Sequence, residues 1–198
     1  HAPEVAAQRA RLRALGQPAE GAQATRTASS ADAQNDAPRT AESDIAEELA
    51  LAWRLYEEGQ LSQEEYSSVL HDLTEVSAKE LNVPVSVLHV LNDRGFTQMN
   101  RIMTYLSDRG GSACLSLLNF EIPQTVVDAL PLDVAAHDGA LPFAFFDNDL
   151  LVGVLNPFNH VLVDKVEKMS GHRCHAYLVP PEEYDQALGR LRGMAGQG

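Results

Sequence analysis

Several groups of residues have types and spacings that could do chemistry. His172-Arg173-Cys174-His175 gathers metal-ligand types, since imidazole and thiolate are the usual donors to zinc. On a strand, however, His172 and Cys174 project to one face and Arg173 and His175 to the other, so they do not converge on one ion. The run reads as a buried Cys174 between surface histidines. His137 beside Asp138 has the makings of an acid–base pair, but no nucleophile motif such as GxSxG accompanies it, and it reads as loop polarity. Gly110-Gly111 lacks the Lys and Ser or Thr that turn glycines into a phosphate cradle. No GxxxxGK[ST] loop occurs anywhere, so the pair reads as a turn. Trp53, Tyr56, Tyr66 and Tyr105 recur at helical spacing and could stack on a planar ligand, although helix packing is the commoner use of such a set. Arg94, Arg101 and Arg109 are the cations that could face an anionic ligand or partner. No catalytic residue, cofactor or metal is expected, and the chain reads as non-enzymatic.

The elements that must position these residues follow from periodicity. Ile45, Leu49, Ala52, Trp53, Leu55 and Tyr56 recur at three- and four-residue steps, predicting a helix capped at Ser43 or Asp44 and stopped at Gly59. Ser62 and Glu65 form a capping box for a second helix with Tyr66, Val69, Leu70, Leu73 and Val76 along its apolar stripe. A weak repeat follows at a spacing of 36 residues: Leu55, Gly59, Tyr66, Val69 and Leu70 answer to Leu91, Gly95, Ile102, Tyr105 and Leu106. After Gly111 the period changes. Strands are expected at Ala113–Leu118, Leu141–Phe146, Leu150–Leu155 and Arg173–Val179, with a tight turn at Asp147-Asn148-Asp149. Helices are expected at Pro123–Leu130, at His160–Ser170 capped by Asn159, and from Pro181 onward with Glu182 and Glu183 in the first turn. The fold class is α+β: helical hairpins, then a small α/β sandwich, behind a disordered N-terminal tail. The expected division is 1–43 tail, 44–111 helical region and 112–193 α/β domain.

Charge and composition narrow the partners. The 198 residues carry 15 basic and 28 acidic side chains, a net charge of -13, which disfavours nucleic acid and anionic lipid as main partners. The excess is densest in 44–82, with two basic and ten acidic residues, a solvated face or a docking surface for a basic partner. Residues 1–43 hold only Val5, Leu12 and Leu15 as large aliphatics, too few to offset the entropy of ordering. Cys114 and Cys174 are the only cysteines and show no ligand spacing, which fits a reducing, cytosolic setting. No apolar run is long enough for membrane insertion. Gly193, Gly196 and Gly198 look like the start of a linker to a further domain.

Five words in order over the second half carry a resemblance. They are Leu117-Leu118-Asn119-Phe120-Glu121-Ile122-Pro123, Ala129-Leu130-Pro131, Leu141-Pro142-Phe143, Leu151-Val152-Gly153-Val154-Leu155-Asn156-Pro157-Phe158-Asn159 and Val179-Pro180-Pro181-Glu182-Glu183-Tyr184. Together they resemble the N-terminal domain of type II secretion and type IV pilus-assembly ATPases, with Asn156-Pro157 in place of the usual Asp-Pro. The resemblance implies a domain that docks the ATPase onto the cytoplasmic part of an inner-membrane platform protein, cytoplasmic and peripheral to the membrane through that partner. Residues 45–110 also look like the tandem segment that binds cyclic di-GMP in one branch of the family. The motif residues of that branch are replaced here: Ala50 and Ser86 stand for its Arg, Ala52 and Leu88 for its first Gly, and Leu73 and Arg109 lie near its closing Gln. Docking is therefore the first reading, with cyclic di-GMP sensing through Arg94, Arg101 and Arg109 as the alternative.

Overall fold

The computed structural model describes residues 45–79 and 84–195. The tail expected over 1–43 and the caps expected at Ser43 or Asp44 lie outside them. The helical half contains α1 (Ala46–Glu57), α2 (Gln63–Ser77), α3 (Val87–Asp93) and α4 (Met99–Gly110). The capping box of α2 is formed: the Ser62 hydroxyl accepts from the Glu65 amide and the Glu65 carboxylate accepts from the Ser62 amide.

The repeat is structural. Gly59 and Gly95 both take left-handed backbone angles, φ 72° and 69°, a conformation that costs a side-chain-bearing residue. Around them the same two bonds close the helix. Gln60 N–H donates to Leu55 O at 2.8 Å and Gly59 N–H to Tyr56 O at 3.1 Å; Phe96 N–H donates to Leu91 O at 3.0 Å and Gly95 N–H to Asn92 O at 3.0 Å. The helices that follow, α2 and α4, begin at Gln63 and Met99, preserving the spacing.

The second half holds a three-stranded sheet of β1 (Ala140–Phe146), β2 (Asp149–Val154) and β3 (Cys174–Leu178). β1 and β2 form an antiparallel hairpin, tightened by Asp147 at φ 52°, and β3 adds parallel to β2. The parallel connection runs through α6 (His160–Ser170), whose first turn is capped by Asn159 Oδ1 accepting from Leu162 N–H at 3.1 Å. The last helix, here α7, spans Pro181–Ala195.

Three expectations need correction. Ala113–Leu118 is not a strand. Only Cys114 bridges to Leu178, and Leu117–Asn119 coils into a 3-10 turn, because the Glu183 carboxylate takes the Leu117 amide at 2.9 Å and the Ser116 hydroxyl that of Leu118. Those donors are lost to a ladder. The helix expected at Pro123–Leu130 is one turn, α5 (Gln124–Val127), with Pro123 at its cap; Leu130 precedes Pro131, which disfavours helical backbone there. Val134–Asp138, read as a loop, is a wide π-helical turn pinned by the buried Tyr184 hydroxyl, which donates to Ala135 O at 2.6 Å.

One apolar core runs through both halves, from Leu51 and Leu55 through Leu88, Ile102 and Leu106 to Phe143, Val152, Tyr184 and Leu191. The helical half therefore packs into the same interior as the sheet.

Candidate functional site

The three arginines singled out in the sequence have different neighbours. Arg94, at the C-terminal cap of α3, pairs with Asp72 of α2, and its guanidinium holds that carboxyl below the usual range. Arg101 donates to Gln60 O at 2.8 Å. Arg109 lies in the last turn of α4, about 12 Å along the helix axis from Arg101 at 1.5 Å per residue. Arg101 lines an open groove of about 460 Å³ shared with Gln60, Asn100, Thr104, Tyr105 and Asp108. Gln60 Oε1 is buried beside it without a hydrogen-bond partner.

The aromatic set is mostly packing. Tyr56 stacks on Tyr66 with ring centres 4.9 Å apart, and Trp53 meets both, closing α1 on α2. Burial pushes the Tyr66 phenol up to about 12. In the His172-to-His175 run the strand begins only at Cys174, so the alternation of faces expected from His172 onward does not extend over the whole run. His172 meets Asn148 O, Cys174 is buried with its thiol held neutral by burial, and His175 pairs with Asp149 at 2.8 Å. Asp138 accepts from Lys165 at 2.7 Å, so it is engaged in an ion pair beside the exposed His137. Among the described residues His71, Asp72 and Glu75 bring metal-ligand types together, a group sequence reading passed over, but Arg94 already occupies Asp72.

The denser chemistry lies where the halves meet. The loop after β2 touches the helical half with three consecutive side chains. Asn156 Nδ2 donates to Glu47 O at 3.2 Å and lies 3.4 Å from Glu48 Oε1; Pro157 packs so closely on α4 that a Cβ on Gly110 would stand 2.5 Å from its Cγ; and Arg54 of α1 lies over the Phe158 ring at 4.1 Å. Gly110 is thus a close-approach glycine, and the cap turn belongs to Gly111, at φ 68°. Glu48 is buried and also accepts from Val87 N–H at 2.9 Å. Burial raises its carboxyl to about 7, the two hydrogen bonds and His89 pulling the other way. Sequence reading missed Glu48, yet a signal existed: it stands on the apolar stripe between Ile45 and Ala52, where an acid is out of place.

Residues 111–198 match the profile of the MshEN domain. The type IV pilus assembly ATPase PilB of Thermus thermophilus is 30% identical over 138 residues, 69% of this chain and 15% of that protein. The chain also resembles the solved structure of MshE with cdg, at 15% identity and TM-score 0.48 over 71% of this chain and 97% of the other. The N-terminal domain of XpsE is similar at 18% identity and TM-score 0.48, over 78% and 97%. Residues 111–198 are thus similar to the MshEN domain, and the chain as a whole to a short part of a type IV pilus-assembly ATPase.

Proposed function

We propose that this chain is a non-catalytic docking and regulatory module of a type II secretion or type IV pilus ATPase, and that it binds the cytoplasmic part of an inner-membrane platform protein. The match of residues 111–198 to the MshEN domain carries this reading. The division into a helical region, 44–111, and an α/β domain, 112–193, belongs to the same proposal, as does a place at the cytoplasmic face of the membrane. The acidic helices α1 and α2 and the exposed Phe146 and Val161 offer surface to a partner. Calorimetric titration against the cytoplasmic domain of the cognate platform protein tests it. Saturable binding is expected, and no heat at high micromolar concentration rejects docking.

A second reading, cyclic di-GMP binding, has the groove beside Arg101 in its favour, with the unpartnered Gln60 oxygen next to it. A thermal-shift measurement separates the two: a true ligand at a hundredfold excess over its Kd stabilises by about 2.7 kcal/mol. An unmoved melting temperature retires it.

A further inference from the structure

The outer side of the α1–α2 hairpin is apolar and half open among the described residues. Leu49 and Trp53 of α1 and Leu70 of α2 are half-buried and rest on the core, and the small Ala46 and Ala50 beside them keep the face shallow. Its border is acidic. Glu57 on α1 and Glu64 and Glu75 on α2 are exposed, while Arg54 is turned to the other half, over Phe158. Glu57 ends α1 and Glu58 caps it, a place where the helix dipole disfavours negative charge and a cation is welcome.

Such a surface fits a helix with an apolar stripe and basic flanks, and the chain carries a sequence of that kind. Residues 5–19 hold Arg9, Arg11 and Arg13 and no acid. At about 3.6 residues per turn Val5, Leu12 and Leu15 share one face, with Arg9 and Arg13 on one flank and Arg11 on the other. We propose that residues 5–15, which lie outside the described residues, dock as a further helix on the face of Leu49, Trp53 and Leu70, with their arginines against Glu57, Glu64 and Glu75.

The three aliphatic residues are too few to hold a fold by themselves, but on this face they join a core that is already formed. Reach is no obstacle. Residues 16–44 join the segment to α1, and a chain of that length spans up to about 100 Å, against about 18 Å for the whole of α1. The tether makes docking intramolecular, with an effective concentration on the order of millimolar, which favours the chain's own segment over that of a second copy. The docking stands whether or not the platform protein binds, and a basic partner of α1 and α2 would have to displace the arginines.

Trp53 is the only tryptophan, so its fluorescence in the whole chain reads the cover directly. Quenching by uncharged acrylamide should rise at least about twofold in Leu12→Asp/Leu15→Asp, because a face covered most of the time is then open. Arg9→Glu/Arg11→Glu/Arg13→Glu should do the same, and adding Glu57→Arg/Glu64→Arg/Glu75→Arg should restore the shielding. Unchanged quenching in the leucine variant overturns the docking. Failure of the exchanged charges to restore shielding overturns its placement on this face. Shielding that weakens on dilution overturns it as well, since a second copy would then be the occupant. Should the charge-exchanged chain fail to fold, the leucine variant decides alone.

Discussion

At the residue scale Glu48 sets a sign. Its carboxyl titrates about 4.5 when unfolded and about 7 when folded, so between those values the folded chain binds the extra proton. This contribution is complete below 4.5, falls through the window and is gone above 7. Asp72, depressed by Arg94, runs oppositely, adding stability above the ordinary carboxylate pKa and losing it as pH falls through its lowered value; exposure keeps that term small. The melting temperature of the wild type should therefore fall between mildly acidic and neutral pH, and that of Glu48→Gln should fall less. Gly110 offers a second test. Alanine there gains about 1 kcal/mol of helix propensity but places a methyl 2.5 Å from Pro157, and overpacking costs typically 1–3 kcal/mol. Urea unfolding should show net destabilisation; an unchanged midpoint would mean that the loop yields without cost.

At the element scale the two matched helix stops make a paired prediction. Gly59 and Gly95 have the same angles and the same two bonds, so Gly59→Ala and Gly95→Ala should each cost roughly 1–2 kcal/mol, the penalty of left-handed backbone for a residue with a Cβ. Neither site adds a steric difference, since an added Cβ meets nothing within 4 Å at either. Denaturation of the two variants should give similar losses, and a large disparity would deny the equivalence. These elements were legible because their signals are local: a stripe, a capping box, a glycine. So was the β1–β2 hairpin, through Asp147-Asn148. What was hidden depends on distant partners. Glu183, 66 positions away, takes the Leu117 amide and prevents the expected strand, and Tyr184, 49 positions away, holds the π-helical turn. The candidate arginines were legible as charges only. That Asp72 would claim Arg94 and that Gln60 would meet Arg101 needed the folded hairpins. Glu48 was visible as an interruption of a stripe, but Asn156 as its neighbour was not.

At the scale of the whole molecule the continuous core argues against two independent folding units, although the sequence divides into helical and α/β regions. Leu55, Leu88 and Leu106 of one part are buried in the same cluster as Val152, Tyr184 and Leu191 of the other. Thermal unfolding followed by the aromatic signal of Trp53 and by far-ultraviolet dichroism should give coincident, single transitions. Two separated transitions would mean that the shared interior is not cooperative. With a single transition, anything bound to either half would act on one cooperative body.

The Asn156-Pro157-Phe158 loop also limits how such domains can be recombined. Each of its residues is matched to a different position in the helices: Asn156 to Glu47 and Glu48, Pro157 to Gly110, Phe158 to Arg54. A chimera that joins this sheet half to the helices of a relative must carry the four helix positions 47, 48, 54 and 110 with it as one set, because a mismatch leaves a buried carboxyl, a clash or a bare ring at the graft.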